Sequence, residues 1–275
     1  IGALDIMPKT SDVSFFRRVN IGTGLVTVVY TGEVAAASSA RDAARTLAGK
    51  ISEFFASNLI PSPHERIYSL ILQGSGQEIK VNSPENSKLA LGIIETEGFT
   101  GMAQAADAGI KAADVVIPSW VTVGGGLTTV FFRGEVAAVH SAVEEGLSAA
   151  SEVSSIVSSH VIPQPHKGTD EAAPIGKFTG ASTFRKTSAD DALGILETKG
   201  ITGLIEGIDA GLKAANVVVQ GWEKIGRGIT STIFRGTVSD VRSALDAAQA
   251  GARQAGRVVG SYIIARPHGE LEKGR

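Results

Sequence analysis

The chain has no cysteine among its 275 residues. Disulfides, thiolate nucleophiles and cysteine-ligated metal clusters are therefore excluded. Long apolar runs are missing as well. None reaches the roughly 18 residues of a membrane helix, and no signal peptide is visible. Charge of one sign is also lacking: 26 Lys and Arg face 28 Asp and Glu, with a pI near 6.3. That balance leaves no electrostatic footprint for nucleic acid. A soluble cytoplasmic protein with no nucleic-acid or membrane partner is expected. Aromatic residues make up only 5%, whereas glycine contributes 33 residues. Helical stretches rich in Ala, Gly and Ser let backbones approach closely, so thin, tightly packed layers are expected.

What is present is a repeat. The segment 214–236, AANVVVQGWEKIGRGITSTIFRG, reads as strand, glycine turn, strand. It has counterparts at 112–134, AADVVIPSWVTVGGGLTTVFFRG, and 10–32, TSDVSFFRRVNIGTGLVTVVYTG. His64, His166 and His268 recur at a spacing of 102 residues, as do Gly24, Gly126 and Gly228. A fixed period of this kind decides the architecture before any other observation. It selects three units of about 100 residues, a common domain size.

The third unit reads most cleanly. Ala192 to Glu197 is a short apolar strand, and 200–215 is a helix with Leu204, Ile205, Ile208 and Leu212 at helical spacing. A second strand begins at Asn216, and the turn 224–228 leads into a third strand over Ile229 to Arg235. A second helix spans 238–259, and a last strand, Tyr262 to Ala265, ends in Arg266-Pro267-His268. The order β-α-β-β-α-β is that of a ferredoxin-like, split βαβ fold in the α+β class, with one four-stranded antiparallel sheet per unit. The second unit repeats it, with a strand at 90–95, helices at 99–112 and 136–153, and a last strand at 160–163. In the first unit the counterpart of Ala90 falls before the chain's first residue, which is Ile rather than Met. Its first strand and most of its first helix are thus expected in a segment outside this sequence, or supplied by a neighbouring chain, or lacking. The expected division is repeat 1 over 1–64, repeat 2 over 89–166 and repeat 3 over 191–268, with linkers at 65–88 and 167–190 and a tail at 269–275. The linkers match in length but not in sequence, which suggests loops that span a fixed distance with little demand on side chains.

Three kinds of residue stand out. The glycine turns 20–24, 122–126 and 224–228 fit hairpins that need positive φ or close backbone approach. A Gly-x-Gly after a strand also suggests phosphate binding, but here it joins two strands and opens no helix. Lys9, Lys111 and Lys213 each stand four residues after Asp5, Asp107 and Asp209, the spacing of a helical ion pair. His64, His166 and His268 each stand behind a proline without a second ligand nearby, which favours strand-end hydrogen bonding over metal binding. No catalytic constellation emerges: there is no G-x-S-x-G elbow, and Glu95 and Glu197 recur as single acids. No enzyme activity, metal or cofactor is expected.

The stretches ALGILETKGITG (192–203), DAGLKAANV (209–217), EKIGRG (223–228) and ARPH (265–268) resemble the bacterial microcompartment shell-protein (BMC) domain. ALGIIETEGFTG, DAGIKAADV, VTVGGG and PQPH carry the resemblance in the second unit. It implies a structural shell protein that builds a pseudo-hexagonal tile. The glycine turns would line a central pore through Asn20, Gly22, Thr23, Gly24, Thr122, Gly124, Gly125, Gly126, Lys224, Gly226, Arg227 and Gly228. Lys9, Lys111, Lys213 and Arg266 with His268 would lie at tile edges, where Ser62 and Gln164 replace the arginine in the other units. With three domains per chain, a homodimer would complete a six-domain ring. A homotrimer using only the two complete domains is the alternative. Other shell proteins would be partners, and small polar or anionic metabolites would pass the pore. The competing reading is a ferredoxin-like regulatory oligomer that binds an effector between subunits.

Overall fold

Glycine and alanine set how closely the layers of this protein approach. In the computed structural model, which describes residues 2–73, 89–175 and 191–268, the second and third units are built alike. Unit 2 runs β3 (Ala90–Glu97), α4 (Phe99–Ala112), β4 (Trp120–Gly124), β5 (Leu127–Gly134), α5 (Val136–Ser151) and β6 (Ile156–Ile162). Unit 3 runs β7 (Ala192–Lys199), α7 (Thr202–Ala214), β8 (Val218–Gly226), β9 (Ile229–Gly236), α8 (Val238–Ala255) and β10 (Arg257–Ile264). Their antiparallel sheets have the orders β4-β5-β3-β6 and β8-β9-β7-β10, with the two helices of each unit packed together on one face. A Cβ on Gly109 would come within 2.7 Å of the Phe132 ring and 2.8 Å of the Ala142 carbonyl. Gly211 meets Phe234 and Ala244 in the same way. The close layers expected from the composition are therefore present.

Unit 1 comprises α1 (Gly2–Thr10), β1 (Val13–Gly22), β2 (Leu25–Gly32) and α2 (Val34–Ile51). Among the described residues its sheet has two strands rather than four. Residues 54–60, the counterpart of β6, form no ladder among the described residues.

The linkers depart from expectation. Their described parts are not loops but the short helices α3 (Glu65–Gln73) and α6 (Lys167–Ala172). Ile67, Leu70 and Ile71 are buried against unit 2, and the Trp120 indole donates to the Leu70 carbonyl at 2.9 Å. Ala172, Ala173 and Ile175 are buried with unit 3, and Asp170 forms a buried ion pair with Arg133. Side chains are thus demanded here, since they join the hydrophobic cores of units 2 and 3. The remainders of the linkers and the tail 269–275 lie outside the described residues.

Both faces of β3 and β5 in the unit 2 sheet are buried. Ile94, Val130 and Phe132 pack on the unit's own helices, while Leu91, Ile93 and Phe131 share a core with Leu204, Ile205 and Ile208 of unit 3. That is why β3 reads as a continuous apolar run rather than an alternation. The last helix also ends earlier than its composition suggests, at Ala255 instead of 259. From Arg257 onward the backbone pairs with β7, and that pairing displaces the final helical turn.

Candidate functional site

The three glycine turns are hairpins that hold three consecutive residues at positive φ. The angles are 93°, 53° and 82° at Gly22, Thr23 and Gly24, and 81°, 66° and 81° at Gly124, Gly125 and Gly126. In unit 3 they are 118°, 53° and 75° at Gly226, Arg227 and Gly228. Only the middle residue of each is other than glycine anywhere, consistent with a left-handed conformation that L side chains rarely adopt.

These turns, 102 residues apart in sequence, come together in space. A Cβ on Gly125 would lie 2.7 Å from the Arg227 carbonyl carbon, so unit 3's backbone excludes a side chain there. The Cβ position of Gly22 falls 3.8 Å from the Gly124 Cα, and that of Gly126 3.4 Å from Thr23 Oγ1. The tips are therefore ordered unit 1, unit 2, unit 3 in one arc. Asn20 and Thr122 precede their turns as Lys224 does. Lys224 is exposed, with Nζ 5.6 Å from the centre of the Trp222 ring, and packing against protein pulls its pKa down. The Arg227 side chain is exposed, and among the described residues it forms no ion pair with Glu223 or any other carboxylate. Its backbone carbonyl accepts from Lys199 Nζ.

Away from the turns, neighbouring units meet in two seams built from equivalent contacts. At the first, the His64 N–H donates to Asp107 Oδ1 at 2.7 Å. Lys111 Nζ donates to Asp107 Oδ2 and to the Ser62 carbonyl, both at 2.6 Å. At the second, the His166 N–H donates to Asp209 Oδ1 at 2.5 Å, and the Thr169 hydroxyl joins at 3.0 Å. Lys213 pairs with Asp209. Asp107 and Asp209 are 3% and 2% exposed, whereas Asp5, paired with Lys9 at 2.7 Å, has a side chain 61% exposed. The ion pairs expected from the i,i+4 spacing are all present, and two of the three lie in seams. His64 and His166 act as caps: Nδ1 accepts the N–H of Arg66 at 3.2 Å and of Gly168 at 3.1 Å. Arg266 and His268 are exposed.

In sequence Glu95 is an isolated acid, yet it is buried in the second seam, at 1% exposure. It accepts the Ile201 N–H at 3.0 Å and the Thr202 hydroxyl at 3.2 Å, at the start of α7, and Ser158 at 3.3 Å from within unit 2. Burial raises its pKa, and these donors pull the other way. The signal that pointed to the seams was the constant period itself. Contacts such as His64–Asp107 and His166–Asp209 span 43 residues and repeat with it.

The described residues contain no group of His, Asp and Glu placed to hold a metal ion, and no helix long and apolar enough to cross a membrane. The arrangement offers an arc of three glycine turns with one exposed arginine at the tips, and two equivalent seams at the flank.

Comparison with known proteins agrees with this geometry. The BMC domain model matches residues 1–63, 90–165 and 192–267. The chain is 33% identical to the carboxysome assembly protein CcmO of Synechococcus elongatus over 192 residues, which is 69% of each chain. It is 49% identical over 83 residues to the bacterial microcompartment shell protein PduA of Citrobacter freundii, covering 30% of this chain and 89% of that one. A crystal structure of a microcompartments protein from Desulfitobacterium hafniense superposes with a TM-score of 0.52 at 27% identity, over 68% of this chain and 99% of that one. With three matched domains, two repeated seams and hairpin tips gathered on one arc, the chain belongs to the BMC-domain family of bacterial microcompartment shell proteins, as a tandem of three domains.

Proposed function

We propose that two copies of this chain close a six-domain ring whose turns line a narrow pore for small polar or anionic metabolites. The chain is a structural component of a bacterial microcompartment shell, and no catalysis is assigned to it. The observation that carries the ring is the equivalence of the two seams. Equivalent contacts relate unit 2 to unit 1 and unit 3 to unit 2 by the same step. Six such steps would close a ring, and two chains supply six domains. The open ends support this reading. On unit 3 the sheet face that unit 2 buries is only half-covered at Ile195, Ile229, Ile233 and Ile264, and Ile225 is 54% exposed. On unit 1, Asp5 and Lys9 stand open where Asp107 and Asp209 are covered.

At the turns, two Arg227 guanidiniums would stand among four small residues, Thr23 and Gly125 from each chain. Arg keeps its charge at every relevant pH, so the constriction favours anions. The rings would tile into sheets through an edge centred on Arg266, the copy that keeps the arginine of the family motif. Electron micrographs of purified protein should show extended sheets for the wild type and discrete rings for Arg266→Ala. Sheets at wild-type concentration in that variant would remove Arg266 from the edge.

A further inference from the structure

At each internal seam one side chain reaches from the last strand, or its extended counterpart, to the next unit's first helix. In the first seam Asn58 Nδ2 donates to Gln104 Oε1 at 2.6 Å. In the second, His160 Nε2 lies 3.1 Å from Glu206 Oε2. At the same spacing of 102 residues, the third unit offers Tyr262 on the strand side and the first unit offers Gly2 on the helix side. Tyr262 is 70% exposed, more than any other large apolar side chain among the described residues.

The residue behind each helix position changes in step. Gly251 lies behind Glu206, and a Cβ on it would come within 3.2 Å of Glu206 Oε1. Ala149 occupies that place in unit 2. In unit 1 it is Leu47, and the helix position has lost its side chain altogether. A Cβ on Gly2 would meet Ile51 Cδ1 at 3.1 Å and Leu47 Cδ2 at 3.3 Å. Where units 2 and 3 present an amide or a carboxylate, unit 1 presents bare backbone flanked by leucine and isoleucine, and Ile51 is 63% exposed. One open end therefore carries an unpartnered aromatic ring, and the other an apolar shelf without a side chain in the way.

We propose that Tyr262 of one copy seats on the Gly2–Leu47–Ile51 shelf of a second copy, and that this pair fixes which domains join between chains. The inference rests on the ring reading above and adds its specificity. A tyrosine fits poorly on Gln104 or Glu206, because its ring would strip water from an amide or carboxylate that finds no partner. A histidine or asparagine on the shelf would lose its own acceptor. The Tyr–Gly pair thus excludes the partners of the Asn–Gln and His–Glu pairs, which is how unlike contacts fix which ends of two chains join. Buried aromatic anchors of this kind commonly dominate an interface.

The test is the dissociation constant of the full-length dimer from sedimentation velocity. Tyr262→His should weaken it by about 30-fold, the effect of losing one aromatic anchor. Adding Gly2→Glu together with Leu47→Gly, which rebuilds the His160–Glu206 arrangement, should bring it back to within about threefold of the wild type. Tyr262 is exposed in the single chain, so circular dichroism of Tyr262→His should match the wild type and show that any loss lies in assembly. A dimer unchanged by Tyr262→His, or a triple variant no tighter than the single one, overturns the seating of Tyr262 while leaving the ring intact. A wild-type protein with no two-chain form overturns the ring and the inference together.

Discussion

The first strands of units 2 and 3 have almost the same sequence, ALGIIETE and ALGILETK, and they behave differently. In β3 every residue but the last is buried, whereas β7 alternates from its fourth residue onward, with Ile195, Glu197 and Lys199 half-buried. The same contrast separates β5, buried throughout, from β9, where Ile229 and Ile233 are open. Both sheets rest on their own helices. They differ in what stands on the far face: unit 2 has unit 3 there, and among the described residues no unit covers unit 3. The lesson is that units 1 and 2 are covered twice, once by their own helices and once by the next domain, and that in the proposed ring unit 3 is covered by a second chain.

The contrast can be broken most strongly at the seam carboxylates. Asp209→Ala leaves the His166 amide and the Thr169 hydroxyl without their acceptor and uncouples Lys213. The expected loss is about 3 kcal/mol of unfolding free energy, as for other buried charged acceptors. The equivalent change at Asp5 removes only an exposed i,i+4 pair and should cost about 0.3 kcal/mol within the chain. Urea titrations of the two variants measure the difference directly. If Asp5→Ala also weakens assembly at low protein concentration, the open seam is the one that closes between chains. Equal losses in both variants at every concentration would mean that seam burial is not what distinguishes them.

A second way to sharpen the comparison is through Glu95, whose counterpart Glu197 remains half-buried. Burial raises the Glu95 pKa above its ordinary value of 4.5. The folded state therefore holds this proton more tightly than the unfolded chain does. Its contribution to stability is full below pH 4.5 and declines as pH climbs through the raised value. Glu95→Gln should remove that decline, so that the variant gains on the wild type between acidic and neutral pH. Parallel stability profiles for the two proteins from pH 4 upward, about the range in which an unfolded carboxyl loses its proton, would contradict the assignment.

How much of this was legible in the sequence varies with the range of the forces involved. The repeat, the strand order and the glycine turns could all be read, because a period of 102 residues and runs such as Ile229 to Arg235 are local patterns. The end of α8 could not: Gly256 follows its last residue, but Gly251 stands inside the helix, so glycine alone does not mark the stop, and the pairing of Arg257 onward with β7 decides it. The helix α3 was hidden for a similar reason. Ile67, Leu70 and Ile71 look like an apolar patch in a linker until Trp120 and unit 2 are set against them. The ion pair of Asp107 with Lys111 reads the same whether covered or open, so the roles of the seam residues appear only when neighbouring units are in place.

The smallest expected effect is at the pore. Arg227→Ser should abolish a preference of a few-fold for a small anion over a cation of matched size in assembled shells, and leave the passage of a neutral probe nearly unchanged. Equal acceleration of both charged probes would make Arg227 an obstruction rather than a selector.

The central claim is that a chain of three like domains is half of a ring. Native mass spectrometry of the purified protein tests it most directly. A particle of two chains, twice the 28.4 kDa of one, is the expected result. A stable trimer or hexamer of chains would contradict it.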